Sequence, residues 1–286
     1  MLPDRHYKPK AGEIVYHYCS PETFLAICSA KRLRFSDLFA MNDFMEVHWG
    51  YHVWERAAST LLDKVGKEFL DKIDAVIHRA GLQVLGLASC FSLNGDVLSQ
   101  WRAYASDGAG YAIGFDASQV TNLAVHPLRV EYDPEKQLNE VKESILALYG
   151  FTLAEGESRA EEFSQECLRL GFDLCAFKNP AFIEENEVRL IHFVNFMPSN
   201  EALRLGDPGG VAFGQPAEPQ SIGFHMSQSV PVAHVDLDFT ASGSVHPISE
   251  VILGPRNEAL PTGVSVCLET LGIPRVKVRR SSASYR

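Results

Sequence analysis

The sequence predicts an α+β fold with a mainly antiparallel or split mixed sheet, and three observations predict it. Strand-like and helix-like stretches are interleaved along 286 residues, but not as regular βαβ units. Neighbouring strand-like stretches often have only short connections, which suits antiparallel pairing. The hydrophobic share of 46% and the charged share of 22% are those of an ordinary globular chain, long enough to bury a large core.

The elements follow in order. EIVYHYC (13–19) alternates and is rich in β-formers, which predicts a strand. Ser20-Pro21-Glu22 then supplies a cap, a proline at the first helical position and an acid in the first turn, so a short helix runs to about Lys31. RLRFS (32–36) is a second strand, and DLFAMNDFME is a loop turning into a helix. From Met45 to about Ala80 apolar residues recur at helical spacing, punctuated by Gly66 and stopped at Gly81. QVLGLASCF (83–91) is nearly continuous apolar sequence, as in a strand buried on both faces. LSQWRAYA is a short helix, and YAIGF (111–115) and LRVEYD (128–133) are strands. Two helices, about 134–149 and 157–176, precede a strong strand at NEVRLIHFVNF (186–196).

Residues 197–221 are rich in proline and glycine and read as a long structureless loop, of the kind that serves as a lid or binding loop or is disordered. IGFHM, VAHVDLDF and SEVILG are three further strands, NEALPTGVSVCLETLG a helix, and RVKVRR a last strand. No clean linker divides the chain, so residues 1–286 are read as a single domain.

A net charge of −10 argues against a general nucleic-acid-binding surface. Arg275, Lys277, Arg279, Arg280 and Arg286 form the one basic cluster, more simply read as a solvated strand and tail than as a groove. No apolar run approaches the roughly 20 residues of a membrane helix, and the N-terminal segment lacks the apolar core of a secretory signal. The six cysteines lie in apolar contexts with no CxxC pair, which reads as reduced core thiols in the cytoplasm.

Several motifs are excluded. No Gly-Lys-Ser/Thr follows a glycine run, and the glycines of SDGAGYAIG precede a strand instead of following one, against a dinucleotide fingerprint. No nucleophile elbow is present. His48 and His52 stand four apart with Glu55 one turn on, yet the glutamate of a zinc-protease motif is missing between them, so no metal site is assigned.

Four segments keep polar residues in tight apolar context. They are Tyr16-His17-Tyr18, then Arg34-Phe35-Ser36 with Asn42, Asp43 and Glu46, then Phe91-Ser92 with Trp101, Arg102 and Tyr104, and last Glu184 to Arg189. In the fourth, alternation puts Glu185, Glu187 and Arg189 on one face. A carboxylate there needs a partner, which Arg189 or Arg34 supplies. A structural ion-pair network and a functional site remain equal readings of that pattern.

HYCSPETFLAICSAKRLRFSDLFAMND, SCFSLNGDVLSQWRAYASDGAGYAIGFD, FKNPAFIEENEVRLI and VILGP resemble the successive blocks of the domain-of-unknown-function family 2971, from about residue 14 to 260. That family is bacterial and sometimes found near phage-defence genes. A His-Tyr at the end of a first strand, a helix, and a short strand ending in Arg-x-Ser also resemble the opening of ADP-ribosyltransferase-like domains. That second resemblance implies NAD as substrate, a first-strand histidine that orients it, and a late-strand glutamate facing the reacting sugar carbon. Carried over, His17 orients NAD, Tyr18 or Tyr104 stacks on nicotinamide, and Glu187 is the catalytic acid, with Glu185 second. Arg34 or Arg102 meets the pyrophosphate, and Ser36, Asn42 and Ser92 are further cofactor-binding candidates. The expected activity is NAD-dependent ADP-ribosyl transfer or NAD glycosidic cleavage, with an unspecified acceptor. The alternatives are a non-catalytic module that senses a nucleotide or partner and, third, a metal-dependent nuclease.

Overall fold

The fold is that of a computed structural model, which describes residues 5–38, 44–155, 159–198, 201–240, 246–283 and 285. The chain opens with β1 (Ile14–Cys19), α1 (Pro21–Ala30), β2 (Arg32–Asp37), α2 (Phe44–Val65), α3 (Lys67–Gly81) and β3 (Val84–Ser92). Next come α4 (Leu98–Tyr104), β4 (Tyr111–Asp116), α5 (Ala117–Val120), β5 (His126–Arg129), α6 (Pro134–Glu155) and α7 (Ala160–Leu174). A 3₁₀ helix, Pro180–Glu185, leads into β6 (Glu187–Pro198). The remainder is β7 (Leu203–Gly206), β8 (Gly210–Ala212), β9 (Gln215–Ala217), β10 (Gly223–Ser227), β11 (Val230–Asp238), β12 (Ile248–Leu253), α8 (Pro261–Thr270) and β13 (Lys277–Arg280).

This is the α+β architecture expected, with a large, mostly antiparallel sheet. Among the described residues eleven strands join in the order β10-β11-β2-β3-β1-β4-β12-β13, and β6 lies along β3 with β5 and β7 on it. Among the described strands only β12 and β13 pair in parallel. Leu33, Phe35, Ile113, Phe115, Val188, Leu190 and Val251 pack on one face of the sheet, with Phe24 and Ile27 of α1 and Val264 and Leu268 of α8 in the same core. A second core forms among α2, α3, α6 and α7, around Val53, Trp54, Ile73, Ile145 and Leu148.

Local chemistry explains the boundaries. Ser20 Oγ accepts from Thr23 N, Pro21 begins α1, and Lys31 ends it in the left-handed region at φ 55°. Gly66, at φ 83°, separates α2 from α3 within the stretch that reads as helical from Met45 to Ala80. Gly50 lets α2 approach α7, since a Cβ there would overlap the Leu174 carbonyl.

Two sequence expectations need correction. The strand expected at 128–133 lies at His126–Arg129, because the Glu131 side chain accepts from the amides of Tyr132 and Asp133 and turns the chain toward α6. The described part of 197–221 is not structureless: it forms β7, β8 and β9. Phe213 and Gly214, at φ 50° and 72°, make the tight turn between β8 and β9. Asp207 pins the segment, with its carboxylate accepting from Gly209 N at 2.8 Å and Gln220 N at 2.6 Å and lying 3.0 Å from His192 Nε2.

The basic cluster is largely engaged in structure. Lys277 and Arg279 pair with Glu250, and Arg280 donates to the carbonyls of Asn257 and Ala259. His52 pairs with Glu55 on the exposed side of α2, and no group of three metal-ligating side chains occurs among the described residues. None of the described helices is long and apolar enough to cross a membrane. The six cysteines are free thiols.

Candidate functional site

The site begins with a gap in the sheet. β1 and β2 both run antiparallel to β3, on the same edge of it, with α1 joining them. β1 meets β3 only at Tyr16 opposite Ser92, and β2 meets it at Ser36 opposite Ala88 and Asp37 opposite Leu87. Ser89, Cys90 and Phe91 therefore have no strand paired to that edge among the described residues. An uncovered carbonyl in a protein interior needs a donor. His17 supplies it: Nδ1 donates to the Cys90 carbonyl at 3.0 Å. The imidazole stands where a ladder N–H would stand.

A cavity of about 500 Å³ opens at this gap. Residues directly opposite one another in a sheet share a face. Tyr16, Ser92 and Glu187 thus form one cross-strand row, and Cys90 and Arg189 the next. Tyr18, Arg34, Ser36 and Ala88 belong to the same face by alternation. His17, Ser89 and Phe91 belong to the other face, yet they also line the cavity. The cavity reaches into the gap itself.

Two acids and two bases meet in it. Arg189 grips Glu187 with two parallel bonds, Nε to Oε1 at 2.9 Å and Nη2 to Oε2 at 3.0 Å. Lys178 Nζ lies 3.2 Å from Glu187 Oε2 and also bonds Glu185. Glu187, Arg189 and Lys178 are each 3–4% exposed, so the cluster is buried as well as neutral. Burial alone would push the Glu187 carboxyl up, but the Arg189 guanidinium and the Lys178 ammonium outweigh it and hold it at about 2. Burial lowers His17 from the usual histidine range, so its ring is neutral at pH 7. Burial and the nearby Glu185 push the Tyr104 phenol far up, and its OH donates to Glu185 Oε1 at 2.8 Å.

Eight of the sequence-predicted site residues line this one cavity: His17, Tyr18, Arg34, Ser36, Ser92, Tyr104, Glu185 and Glu187. Arg102 does not line it. Its guanidinium sits 5.9 Å from the Tyr285 ring centre. Asn42, with Asp43, lies outside the described residues. Arg34 makes a bidentate pair with Asp236, at 2.8 and 2.9 Å, rather than with Glu187. Glu185 is not on the strand. Asn179 caps the 3₁₀ helix, and Asn186, left-handed at φ 47°, closes it before β6 starts. The Tyr18 hydroxyl is occupied, donating to Asn94 O and accepting from Val97 N.

Sequence reasoning missed Lys178 and Gln100. A lone lysine between the apolar run Leu174–Phe177 and the helix-starting Asn179-Pro180 was the available signal for the first. The second had none. A separate cavity of about 520 Å³ lies beside His192, Phe213 and Gln220 and contains none of the predicted residues, and no described residue of the 197–221 segment lines the cleft.

Fold and site together define an α+β protein with a neutral cluster of buried acids and bases at a split in a mostly antiparallel sheet. Residues 100–190 match the model of a family described as "Protein of unknown function (DUF2971)", and the chain resembles that family. The match runs from α4 into β6 and so includes Tyr104, Lys178, Glu185, Glu187 and Arg189. A DNA polymerase from Thermococcus hydrothermalis is 35% identical over 68 residues, 24% of this chain and 4% of that protein. The chain thus aligns with only a small part of that curated relative's length. No solved structure matches the chain.

Proposed function

We propose that the cleft binds NAD and cleaves its nicotinamide–ribose bond, delivering ADP-ribose to water or to an acceptor macromolecule. The supporting observation is the pair of carboxylates, Glu185 and Glu187, that share Lys178 at the cavity that Tyr16, Tyr104 and Phe182 also line. In this reaction the bond from the ribose C1′ to the pyridinium nitrogen breaks, and its electron pair leaves with nicotinamide. The sugar carbon becomes oxocarbenium-like, and a fixed carboxylate stabilises that charge. Water or an acceptor hydroxyl then bonds C1′ and gives its proton to a carboxylate of the pair or to solvent.

The two acids are not equivalent. Glu187 accepts from Arg189 on both oxygens and faces Lys178 on one, so it positions the two bases. Glu185 has one donor on each oxygen, Tyr104 and Lys178, which leaves lone pairs for a ribose hydroxyl. Glu185 is therefore the acid assigned to touch the sugar. This reverses the order that the resemblance implies. Release of nicotinamide from NAD, followed by chromatography, tests the reading. Glu185→Gln should cut turnover by about a hundredfold or more with the fold intact. Undiminished turnover removes it.

A second reading has its own support. A carboxylate clamped as tightly as Glu187 is what a rigid, non-catalytic sensor would also contain. Stabilisation of the protein by NAD with no nicotinamide released would favour that reading.

A further inference from the structure

Buried polar atoms in folded proteins are almost always paired, because an unpaired one costs about 1–3 kcal/mol. Two side chains that line the cleft break this rule. Ser89 Oγ and Gln100 Nε2 are buried and have no hydrogen-bond partner among the described residues, with Ser89 2% exposed and Gln100 5%. Oε1 of the same carboxamide bonds no described residue either. Neither side chain is placed to escape. Ser89 is in the uncovered stretch of β3, and Gln100 precedes Trp101, which is fully buried and donates from Nε1 to Asp96 at 2.8 Å.

A carboxamide presents a donor beside an acceptor in one plane. Its complement is a second planar donor–acceptor pair, found in a primary amide or at the amino edge of a purine. Turning the carboxamide over exchanges donor and acceptor and leaves the complement the same. We propose that Gln100 reads such an edge on the ligand, with Ser89 as a second polar contact. This rests on the proposed NAD reading for the identity of the ligand, because NAD carries both a carboxamide and an aminopurine. It assigns the recognition to residues other than the acids.

The unpaired state makes an unusual forecast. Replacing either side chain by an apolar one of similar shape removes an orphaned polar atom, so Gln100→Met and Ser89→Ala should unfold about 2 °C above the unaltered chain, or at least no lower. The same changes should weaken ligand binding. Calorimetric titration of the full chain with nicotinamide, nicotinic acid and adenosine separates the sources. Binding of nicotinamide but not nicotinic acid identifies the amide, and binding of adenosine identifies the purine edge. In Gln100→Met the affinity for the recognised probe should fall about tenfold or more.

A variant that melts lower without ligand would show that these atoms are paired in the folded protein and would overturn the assignment. So would the absence of binding by all three probes, or equal binding by Gln100→Met. The reaction is read separately. A chain that binds nicotinamide or adenosine through Gln100 but never cleaves NAD keeps this inference and loses the proposed activity. A chain that cleaves NAD with the same KM in Gln100→Met does the reverse.

Discussion

Substituting Glu187 by glutamine removes the negative centre on which Arg189 and Lys178 converge. The size of the effect follows from the carboxyl itself, held at about 2 against 4.5 for an unperturbed glutamate. At 1.36 kcal/mol for each unit, that difference is worth about 3 kcal/mol of folding stability. The sign follows from the direction. A carboxyl lowered in the folded state contributes fully above its unfolded value of 4.5, and the contribution drains away as pH falls toward 2. Urea unfolding measured at intervals from pH 7 to pH 3 in the unaltered chain and in Glu187→Gln isolates this residue, because the other acids titrate in both. At pH 7 the variant should be less stable by about 3 kcal/mol or more, since two buried cations lose their shared partner. At pH 3 the gap should be narrower by about 2 kcal/mol. Parallel stability curves would mean that Glu187 is not held down in this way, and the account of the cluster would fail.

Two other outcomes check the packing around the site. Gly50→Ala puts a Cβ against the Leu174 carbonyl and should cost about 1–3 kcal/mol in urea unfolding, with unchanged stability refuting the close approach of α2 to α7. Cys90 lines the cleft, but burial and the neighbouring Glu187 carboxylate push its thiol well above the ordinary range. It should stay unlabelled by iodoacetamide at pH 8 until the chain unfolds, and rapid labelling of the folded protein, located by mass spectrometry, would contradict that environment.

How much of this was legible in the sequence depended on whether the cause was local. The strand at 13–19 and the helix start at Ser20-Pro21 are local, and both are found as expected. The strand at 186–196 was likewise clear, but alternation was carried back one residue pair too far. Asn186 in a left-handed conformation cannot continue a strand, so Glu185 arrives from the 3₁₀ helix and meets Glu187 only through Lys178. The segment 197–221 was misread because glycine and proline announce turns but do not say what fixes them. Here a buried carboxylate does, and its partner His192 is 15 residues away on β6. Gln100 was invisible because its burial comes from the docking of α4 against β1, which no window of sequence contains.

The gap between β1 and β2 also has fixed walls. β1 is paired with β4 over its whole length, β2 with β11 along Arg32 to Ser36, and one short helix ties the two together. An aperture framed in this way has its outer width set by backbone, and His17 and the other lining side chains shape what remains. It should discriminate among molecules by girth before any polar group is consulted, and it should admit its guest without the framework shifting. Loosening selectivity would then require lengthening the spanning helix, a change of architecture rather than of side chains.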